Sequence, residues 1–382
     1  MLGGALAVIL TGQISLPDAL GAINRDVMLF LVGMFLVGEA LVESGYLSTI
    51  SCRFFSRART TDQIIFLILF GMGLLSALLM NDTLAIIGTP LVLGLAAKFR
   101  ISPKLVLLSL AIGITTGSVM SPIGNPQNLL VAVNSGLLNP FVTFGLFLLL
   151  PTLVSLMVAF LVLRFFFPGD FSSRALMHEA APVCSPAKVL PVKCSLAILL
   201  SLVVINITAS LAGGTILVPL PVIALCAAAP VLLFSSRRFE LVWHIDWCTI
   251  VFFAAMFVLM ESVWQTGFFQ SFVSGPRLMS VPAILGTSVV ISQFISNVPF
   301  VALFQPMILQ AGGTTSQMMA LAAGSTIAGN LTILGAASTV IIIQNAEKQG
   351  ETLTFFEFAR VGVPLTVLQI VIYWVWLIIL PF

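Results

Sequence analysis

Long apolar segments separated by short polar ones occupy nearly the whole sequence. Roughly 20 apolar residues in a helix cross the hydrocarbon core of a bilayer, and most of the segments reach that length. They fall at about 1–15, 27–47, 63–97, 105–134, 141–167, 189–212, 216–235, 247–268, 282–311, 317–344 and 361–381. This pattern predicts an all-α polytopic membrane protein.

Two of these segments, 63–97 and 282–311, carry polar residues near the middle. Each half has about 14 to 18 residues, which is marginal against the roughly 20 needed to span a bilayer. Halves of this length are typical of a re-entrant hairpin, which enters the membrane and leaves on the same side. We therefore predict two re-entrant hairpins.

A different interruption lies within 105–134, where residues 121–128 read SPIGNPQN. Proline lacks the backbone N–H and clashes with the preceding turn, and glycine loosens what remains. A loop between two spans is the alternative, but each apolar flank is too short to span by itself. Unpaired backbone inside a membrane is tolerated only where protein buries it or a wet cavity receives it. We predict a broken transmembrane helix whose break lines a binding site.

The composition agrees with a membrane protein, because 59% of the residues are hydrophobic and only 8% are charged, against roughly 25% charged residues in soluble proteins. The first apolar stretch, 1–15, has neither a basic n-region nor a small-residue cleavage site, so we expect a short first span there. The five cysteines have no close paired spacing and are interpreted as small apolar side chains.

The positions of lysine and arginine predict the orientation. If residue 1 is cytoplasmic and both interrupted segments are hairpins, every lysine and arginine except Arg25 and Arg277 falls on the cytoplasmic side. This is the distribution that the positive-inside rule requires. The expected location is the plasma membrane or inner membrane, with the amino terminus in the cytoplasm and the carboxyl terminus outside. A double crossing in place of a hairpin leaves this parity unchanged.

The two halves of the chain resemble each other. The matched pairs, in order, are Met34 and Met256, Glu39 and Glu261, Gly45 and Gly267, Asn81 and Asn297, Pro90 and Pro306, Gly117 and Gly329, and Gly124 and Gly335. Because the predicted orientation gives 27–47 and 247–268 opposite directions, the repeat is expected to be inverted. Transporters with inverted repeats and discontinuous helices place the substrate site near the bilayer midplane.

This repeat divides the chain into four parts. They are an N-terminal span (1–26), a first repeat (27–167, with hairpin 63–97 and broken helix 105–134), a linker with two connecting spans (168–245), and a second repeat (246–382, with hairpin 282–311 and broken helix 317–344).

The candidate binding residues lie at the two hairpin tips and the two helix breaks. Helix N-termini attract negative charge and free carbonyls ligate cations, while amide and hydroxyl side chains add neutral donors and acceptors. The candidates are Asn81, Asp82 and Thr83 at the first tip, Gly124, Asn125, Gln127 and Asn128 at the first break, Ser296 and Asn297 at the second tip, and Gly335, Ser338 and Thr339 at the second break.

Asp82 is the most specific candidate. A carboxylate at the bilayer centre costs about 3 kcal/mol on insertion scales, so it usually faces a cavity and titrates or binds a cation such as Na⁺. The alternative is that Asp82 only caps the returning helix. Its counterpart is Val298, so a single H⁺ or Na⁺ is the simpler expectation. The equivalent positions of Glu39 and Glu261 favour a shared structural role, and Asp26 and Asp246 are expected to cap the helices that follow them.

These motifs resemble the ion transporter superfamily. The residues that carry the resemblance are Asn-Asp-Thr at 81–83, SPIGNPQN at 121–128, Ser-Asn-Val-Pro at 296–299 and GNLTILG at 329–335. The superfamily includes arsenite efflux permeases, citrate–metal transporters, sodium–proton antiporters of the same fold and sodium-coupled dicarboxylate carriers. The resemblance covers about 27–381 and is greatest to the small prokaryotic anion permeases of the arsenite and citrate branch.

The resemblance implies a scaffold domain and a mobile transport domain built from hairpins and broken helices, often in a homodimer. The dicarboxylate branch carries Ser-Asn-Thr at its tips. This chain has Asn-Asp-Thr at one tip and Ser-Asn-Val-Pro at the other, so the sodium and carboxylate sites of that branch do not carry over intact. The aspartate is similar to the arsenite and antiporter branches.

The function expected from these features is secondary active transport of a small anion or oxyacid by alternating access, coupled to H⁺ or Na⁺. No lysine or arginine falls at the predicted midplane, so helix N-termini and amides would hold the anion. The alternative is a Na⁺/H⁺ antiporter of the same superfamily. An enzyme is not expected, because the sequence lacks a paired aspartate motif, a histidine-rich zinc motif and an acidic metal cluster. The expected partners are a small-molecule solute and the bilayer, with no nucleic acid and no cofactor beyond the coupling ion.

Overall fold

The computed structural model describes residues 1–46, 49–50, 55, 58, 60–171, 186–213, 218–273 and 276–379, which contain no β-strand. Their helices are α1 (Leu2–Leu10), α2 (Leu16–Ala22), α3 (Arg25–Ser44), α4 (Thr61–Leu79), α5 (Asn81–Phe99), α6 (Pro103–Ser118), α7 (Pro126–Asn134), α8 (Pro140–Phe166), α9 (Pro186–Leu211), α10 (Leu220–Phe234), α11 (Arg238–His244), α12 (Trp247–Thr266), α13 (Phe268–Val273), α14 (Val281–Ile295), α15 (Asn297–Gln310), α16 (Thr315–Ile327), α17 (Ala337–Glu347) and α18 (Phe355–Ile379).

The lengths of the helices confirm an all-α multi-pass membrane protein. Among the described helices, α3, α4, α5, α8, α9, α12 and α18 are long and apolar enough to cross a membrane. The predicted first span holds only the nine-residue α1, about 14 Å long, which packs against α12. Four arginines that contribute to the predicted orientation (Arg53, Arg57, Arg59 and Arg174) lie outside the described residues, as do linker residues 172–185.

Both predicted helix breaks are confirmed. The first separates α6 from α7 and spans residues 119–125, slightly earlier than the sequence suggests. The reason is that Pro126 occupies the first position of α7, where its missing N–H has no helical partner to lose, and Asn125 caps the helix. The second break separates α16 from α17 and consists of two short 3₁₀ turns.

Each interrupted segment is a pair of helices joined by one residue. Met80 joins α4 to α5, and Ser296 joins α14 to α15. Both residues have a positive φ, 52° and 68°, which L-residues rarely adopt and which reverses the chain sharply. The helices of the first pair have 19 residues each, long enough to cross a bilayer, so re-entry into the membrane stays a prediction.

The helices sort into two groups by their contacts. The small bundle contains α1–α3 and α9–α12, with its closest packing between α3 and α10. The large bundle contains α4–α8 and α14–α18, and so holds both interrupted segments and both broken helices. Contacts between the bundles are sparser and come mainly from α3 and α12 of the small bundle.

The centre of the large bundle is formed by α6 and α16, which are almost completely buried. Glycines let neighbouring helices approach them closely. A Cβ at Gly113 would lie 3.1 Å from the Leu69 backbone, and a Cβ at Gly324 would lie 3.1 Å from the Leu285 backbone. The same kind of contact therefore occurs once in each half of the chain.

Candidate functional site: a cavity between the two bundles

A cavity of about 480 Å³ lies where the small bundle faces the tips and breaks of the large bundle. We call it the first cavity. Its volume is within the range of small-molecule sites, roughly 300–1,000 Å³. It brings together half of the residues predicted from the sequence, namely Asn81, Asp82, Thr83, Gln127, Ser296 and Asn297.

Four helices of the large bundle begin at the first cavity. The lining residues include the first positions of α5, α7, α15 and α17, which are Asn81, Pro126, Asn297 and Ala337. The unpaired N–H groups and the macrodipole of a helix make its N-terminus partly positive. Four such ends around one cavity produce a field that favours an anion, although no lysine or arginine is among the described residues that line it.

Asn81 connects the first tip to both helix breaks. Its backbone N–H donates to Gly124 O at 2.9 Å, and its Nδ2 donates to Ser338 Oγ at 3.4 Å. Gly124 and Ser338 were themselves candidates and lie behind Asn81, outside the lining of the cavity. The tip and the two breaks therefore form one contiguous polar unit.

Three buried oxygens of the tips and breaks have no hydrogen-bond partner. They are Asn81 Oδ1, Asn297 Oδ1 and Thr339 Oγ1. A buried acceptor without a partner costs about 1–3 kcal/mol, so unpaired oxygens at a cavity are typical of a site that receives a ligand. Amide and hydroxyl oxygens are ligands that suit hard cations such as Na⁺.

Asp82 faces the first cavity from the first turn of α5. The capping alternative is not supported, because the cap position of α5 is Met80 and no side chain accepts a capping hydrogen bond there. Glu39 of the small bundle and Asp246 line the same cavity. In the described part of the chain, no three acidic, histidine or cysteine residues are grouped closely enough to hold a metal ion.

Asn125 and Asn128 hold the first break together from within. The Nδ2 of Asn128 lies 3.0–3.2 Å from the carbonyl oxygens of Ser118, Val119 and Ser121. The Oδ1 of Asn125 accepts from the backbone N–H of Asn128 at 2.8 Å. These two candidates are fully buried and satisfy the backbone groups that the break leaves unpaired.

The break in one repeat is also tied to the other repeat. Thr326, on α16, donates to Asn128 Oδ1 at 3.1 Å and accepts from Asn125 Nδ2 at 3.3 Å and from Gln127 Nε2 at 3.5 Å. No sequence pattern identified Thr326, since a threonine within an apolar helix carries no distinctive signal.

The two break glycines, Gly124 and Gly335, are required by close backbone packing. A Cβ at Gly124 would lie 2.5 Å from Ser118 O, and one at Gly335 would lie 2.4 Å from Ala328 O. Ser118 is the last residue of α6 and Ala328 belongs to the second break, so both contacts are local to the breaks. These candidates therefore shape the breaks, while the cavity surface comes from their neighbours.

The structure gives the surroundings of three acidic residues whose roles were predicted from the sequence. Glu39, for which the repeat suggested a structural role, lines the first cavity. Asp246 caps α12 as predicted, accepting from Thr249 N at 2.9 Å, and also lines the cavity. The matching cap of α3 is Asn24, which accepts from Val27 N at 3.1 Å, while Asp26 lies within the first turn.

Comparison with known proteins gives a consistent result. A family model described as "Citrate transporter" (CitMHS) matches residues 1–318. The chain is 27% identical to the uncharacterized transporter Rv2684 of Mycobacterium tuberculosis, an alignment that covers 97% of this chain and 90% of that protein. It is 26% identical to the human P protein, covering 96% of this chain and 54% of that protein.

Two solved structures share the fold. The YdaH transporter of Alcanivorax borkumensis, described as having an unusual topology, superposes with a TM-score of 0.63 over 97% of this chain and 88% of that chain, at 16% identity. MtrF of Neisseria gonorrhoeae, described as one of a class of antimetabolite efflux pumps, superposes with a TM-score of 0.51 over 98% of this chain and 84% of that chain, at 15% identity.

Proposed function

Because the chain belongs to the citrate transporter family and is a membrane transporter, we propose that it moves a small anion or oxyacid by alternating access, coupled to H⁺ or Na⁺. The proposal rests on one observation: the first cavity contains both groups that favour an anion and groups that favour a cation. Four helix N-termini favour an anion, whereas Asp82 and the unpaired oxygens of Asn81 and Asn297 favour a cation.

The carboxylates restrict how the anion can bind. Glu39, Asp82 and Asp246 line the cavity, and its described lining contains no lysine or arginine, so a free, highly charged anion would be repelled. An anion that enters with a cation, or as a protonated oxyacid, avoids this repulsion. We therefore assign the coupling cation to Asp82 and the amide oxygens, and the anion to the N-termini of α5, α7, α15 and α17.

The orientation of the site follows from the positive-inside argument. If the basic residues Arg237 and Arg238 before α12 lie in the cytoplasm, α3 ends and α12 begins at the cytoplasmic side. The first cavity is lined by Phe35, Glu39 and Val42 near the end of α3 and by Asp246 and Thr249 at the start of α12. We infer that this cavity opens toward the cytoplasm.

The experiment is transport in proteoliposomes under an imposed proton or sodium gradient, with a pH-sensitive dye inside. Arsenite, citrate, succinate and sulfate are added one at a time, with protein-free liposomes as the control. Cation flux that depends on one solute supports the proposal and identifies the solute class. Cation exchange of the same size without any solute overturns the anion assignment and favours the Na⁺/H⁺ antiporter.

A further inference from the structure

A second cavity, of about 250 Å³, lies at the opposite end of α3 and α12. Its lining includes Asn24 and Asn134, the two ends of a hydrogen bond between the bundles, and Glu261 near the end of α12. Neither Asn24 nor Asn134 was among the candidate residues.

The second cavity is the counterpart of the first in the repeat. Residues that line one cavity align with residues that line the other, and the pairs, first cavity then second, are Phe35 and Phe257, Glu39 and Glu261, Val42 and Trp264, Ile86 and Ala302, Asp246 and Asn24, and Ile341 and Leu130. Equivalent surfaces at opposite ends of the molecule are what alternating access between inverted repeats requires.

The two cavities also share three helices and lie on neighbouring turns of them. On α7, Gln127 lines the first cavity and Leu130 the second; on α15, Val298 lines the first and Ala302 the second. On α12, Phe253 lines the first cavity and Phe257 lines the second. Three or four residues of α-helix are roughly 5–6 Å long, so a barrier of about one helical turn separates the cavities.

One hydrogen bond joins the two bundles within the second cavity. Asn24 Nδ2, at the start of α3 in the small bundle, donates to Asn134 Oδ1, at the end of α7 in the large bundle, at 3.0 Å. The same Asn24 side chain caps α3 through its Oδ1, which accepts from Val27 N. The two functions use different atoms of one amide, so they can be separated by substitution.

We propose that the second cavity is the access route from the opposite side of the membrane, and that the Asn24–Asn134 hydrogen bond keeps it closed in this conformation. The proposal rests on the proposed function, because it assumes that the protein alternates between two openings. Opening of the second cavity requires the bundles to separate at this bond, while the first cavity closes. Asn24 and Asn134 are positioning residues that set the balance between the two states.

A pair of isosteric variants tests the bond. Asn24→Asp keeps the oxygen that caps α3 but replaces the Nδ2 donor with a second acceptor, which faces Asn134 Oδ1 and repels it. Asn134→Asp is the matched control, since it adds the same charge nearby but keeps the acceptor that Asn24 requires. The counterpart of Asn24 is Asp246, so aspartate is already used at this cap position in the other repeat.

Two cysteine reporters measure the openings in lipid nanodiscs, where both membrane faces are accessible to a hydrophilic maleimide. Cys248 is exposed and lines the first cavity, and it is used with the other four cysteines replaced. Ala302→Cys, in a cysteine-free background, reports on the second cavity. In the Asn24→Asp variant, we expect Cys248 to be modified at least threefold more slowly and the cysteine introduced at position 302 at least threefold faster.

In the Asn134→Asp variant, we expect the ratio of the Cys248 labelling rate to the labelling rate at position 302 to equal or exceed the ratio without this substitution. Unchanged labelling of both reporters in a folded Asn24→Asp protein overturns the role proposed for the Asn24–Asn134 hydrogen bond. An equal change in labelling rates in the Asn24→Asp and Asn134→Asp variants overturns it as well. Labelling needs no solute, so it separates this proposal from the transport assignment. If the labelling rates change as expected but no tested anion is transported, the proposed solute class is rejected and the role of the Asn24–Asn134 hydrogen bond is retained.

Discussion

The backbone N–H of Asn81 donates to Gly124 O at 2.9 Å, and this bond joins the first tip to the first break. Asn81 thereby fixes the beginning of α5 against a segment that is held by isolated turn hydrogen bonds, such as Gly124 N to Ser121 O at 3.4 Å. The position of Asp82, one residue later, depends on the same bond. Small changes in the shape of the break are therefore transmitted to the carboxylate.

Gly124→Ala should distort this connection. The added Cβ would lie 2.5 Å from Ser118 O, and overpacking of a buried site typically costs about 1–3 kcal/mol. We expect a lower melting temperature in detergent and loss of most transport. Gly145→Ala on α8 is the control, because no atom lies within 4 Å of a Cβ there. Wild-type stability and transport in Gly124→Ala would contradict the packing argument.

Asn128→Asp should destabilise the first break without a change in side-chain volume. The substitution removes the Nδ2 that faces three backbone carbonyls and places an acceptor against them. The amide nitrogen has two N–H donors, so at about 1 kcal/mol for each lost hydrogen bond the expected cost is roughly 2 kcal/mol, measured by thermal unfolding. Asn345→Asp is the control, since its oxygen accepts from Lys348 near the end of α17 and survives the change. Equal melting temperatures would refute the role of Asn128.

Asp82→Asn should abolish coupling while the protein stays folded, because the two side chains have the same shape and Asp82 does not cap α5. We expect gradient-driven accumulation of the solute to fall at least tenfold in proteoliposomes. Asp246→Asn is the matched variant, since it keeps the oxygen that caps α12, and we expect it to retain coupling. If accumulation in Asp82→Asn remains proton- or sodium-driven, the cation has been assigned to the wrong residue.

Gly38→Ala should hinder the contact between the bundles. A Cβ at this position would lie 2.8 Å from Thr83 Oγ1 and 3.0 Å from Thr83 Cγ2, so α3 and α5 could no longer pack as closely. We expect slower transport at unchanged protein levels. Because Thr83→Ala removes both contacting atoms, adding Gly38→Ala to Thr83→Ala should cause no further loss. An equal loss in both backgrounds would show that the contact with Thr83 is not the cause.

The sequence predicted the helix breaks because proline and glycine have local effects. Two prolines and a glycine within SPIGNPQN exclude a continuous helix wherever they occur. The boundary was placed too late because Pro126 starts a helix as readily as it ends one. The tips were predicted from polar residues alone, and nothing in the sequence indicated the positive φ of Met80 and Ser296.

The sequence predicted which segments form the candidate site, but not which of their side chains line the cavity and which stabilise the break. Asn125 and Asn128 were indistinguishable from Gln127 in the sequence, yet they bind the backbone of the break while Gln127 lines the cavity. That division depends on which side of α7 faces α16, a tertiary contact. Glu39 could not be placed for the same reason, because it belongs to a different bundle and lines the cavity with Asp82 only through the packing of the two bundles.

The carboxylates of the first cavity are divided unequally between the bundles. Glu39 and Asp246 belong to or adjoin the small bundle, and Asp82 alone belongs to the large bundle. If the large bundle moves and the small one stays fixed, the empty carrier transfers one negative charge, which the membrane potential acts on by about 2.3 kcal/mol per 100 mV for a full crossing. One bound H⁺ or Na⁺ cancels that charge, so the net charge that moves when the protein is loaded is the charge of the bound anion. For a neutral or protonated solute, the voltage would then act on the return of the empty protein and not on the delivery of the solute.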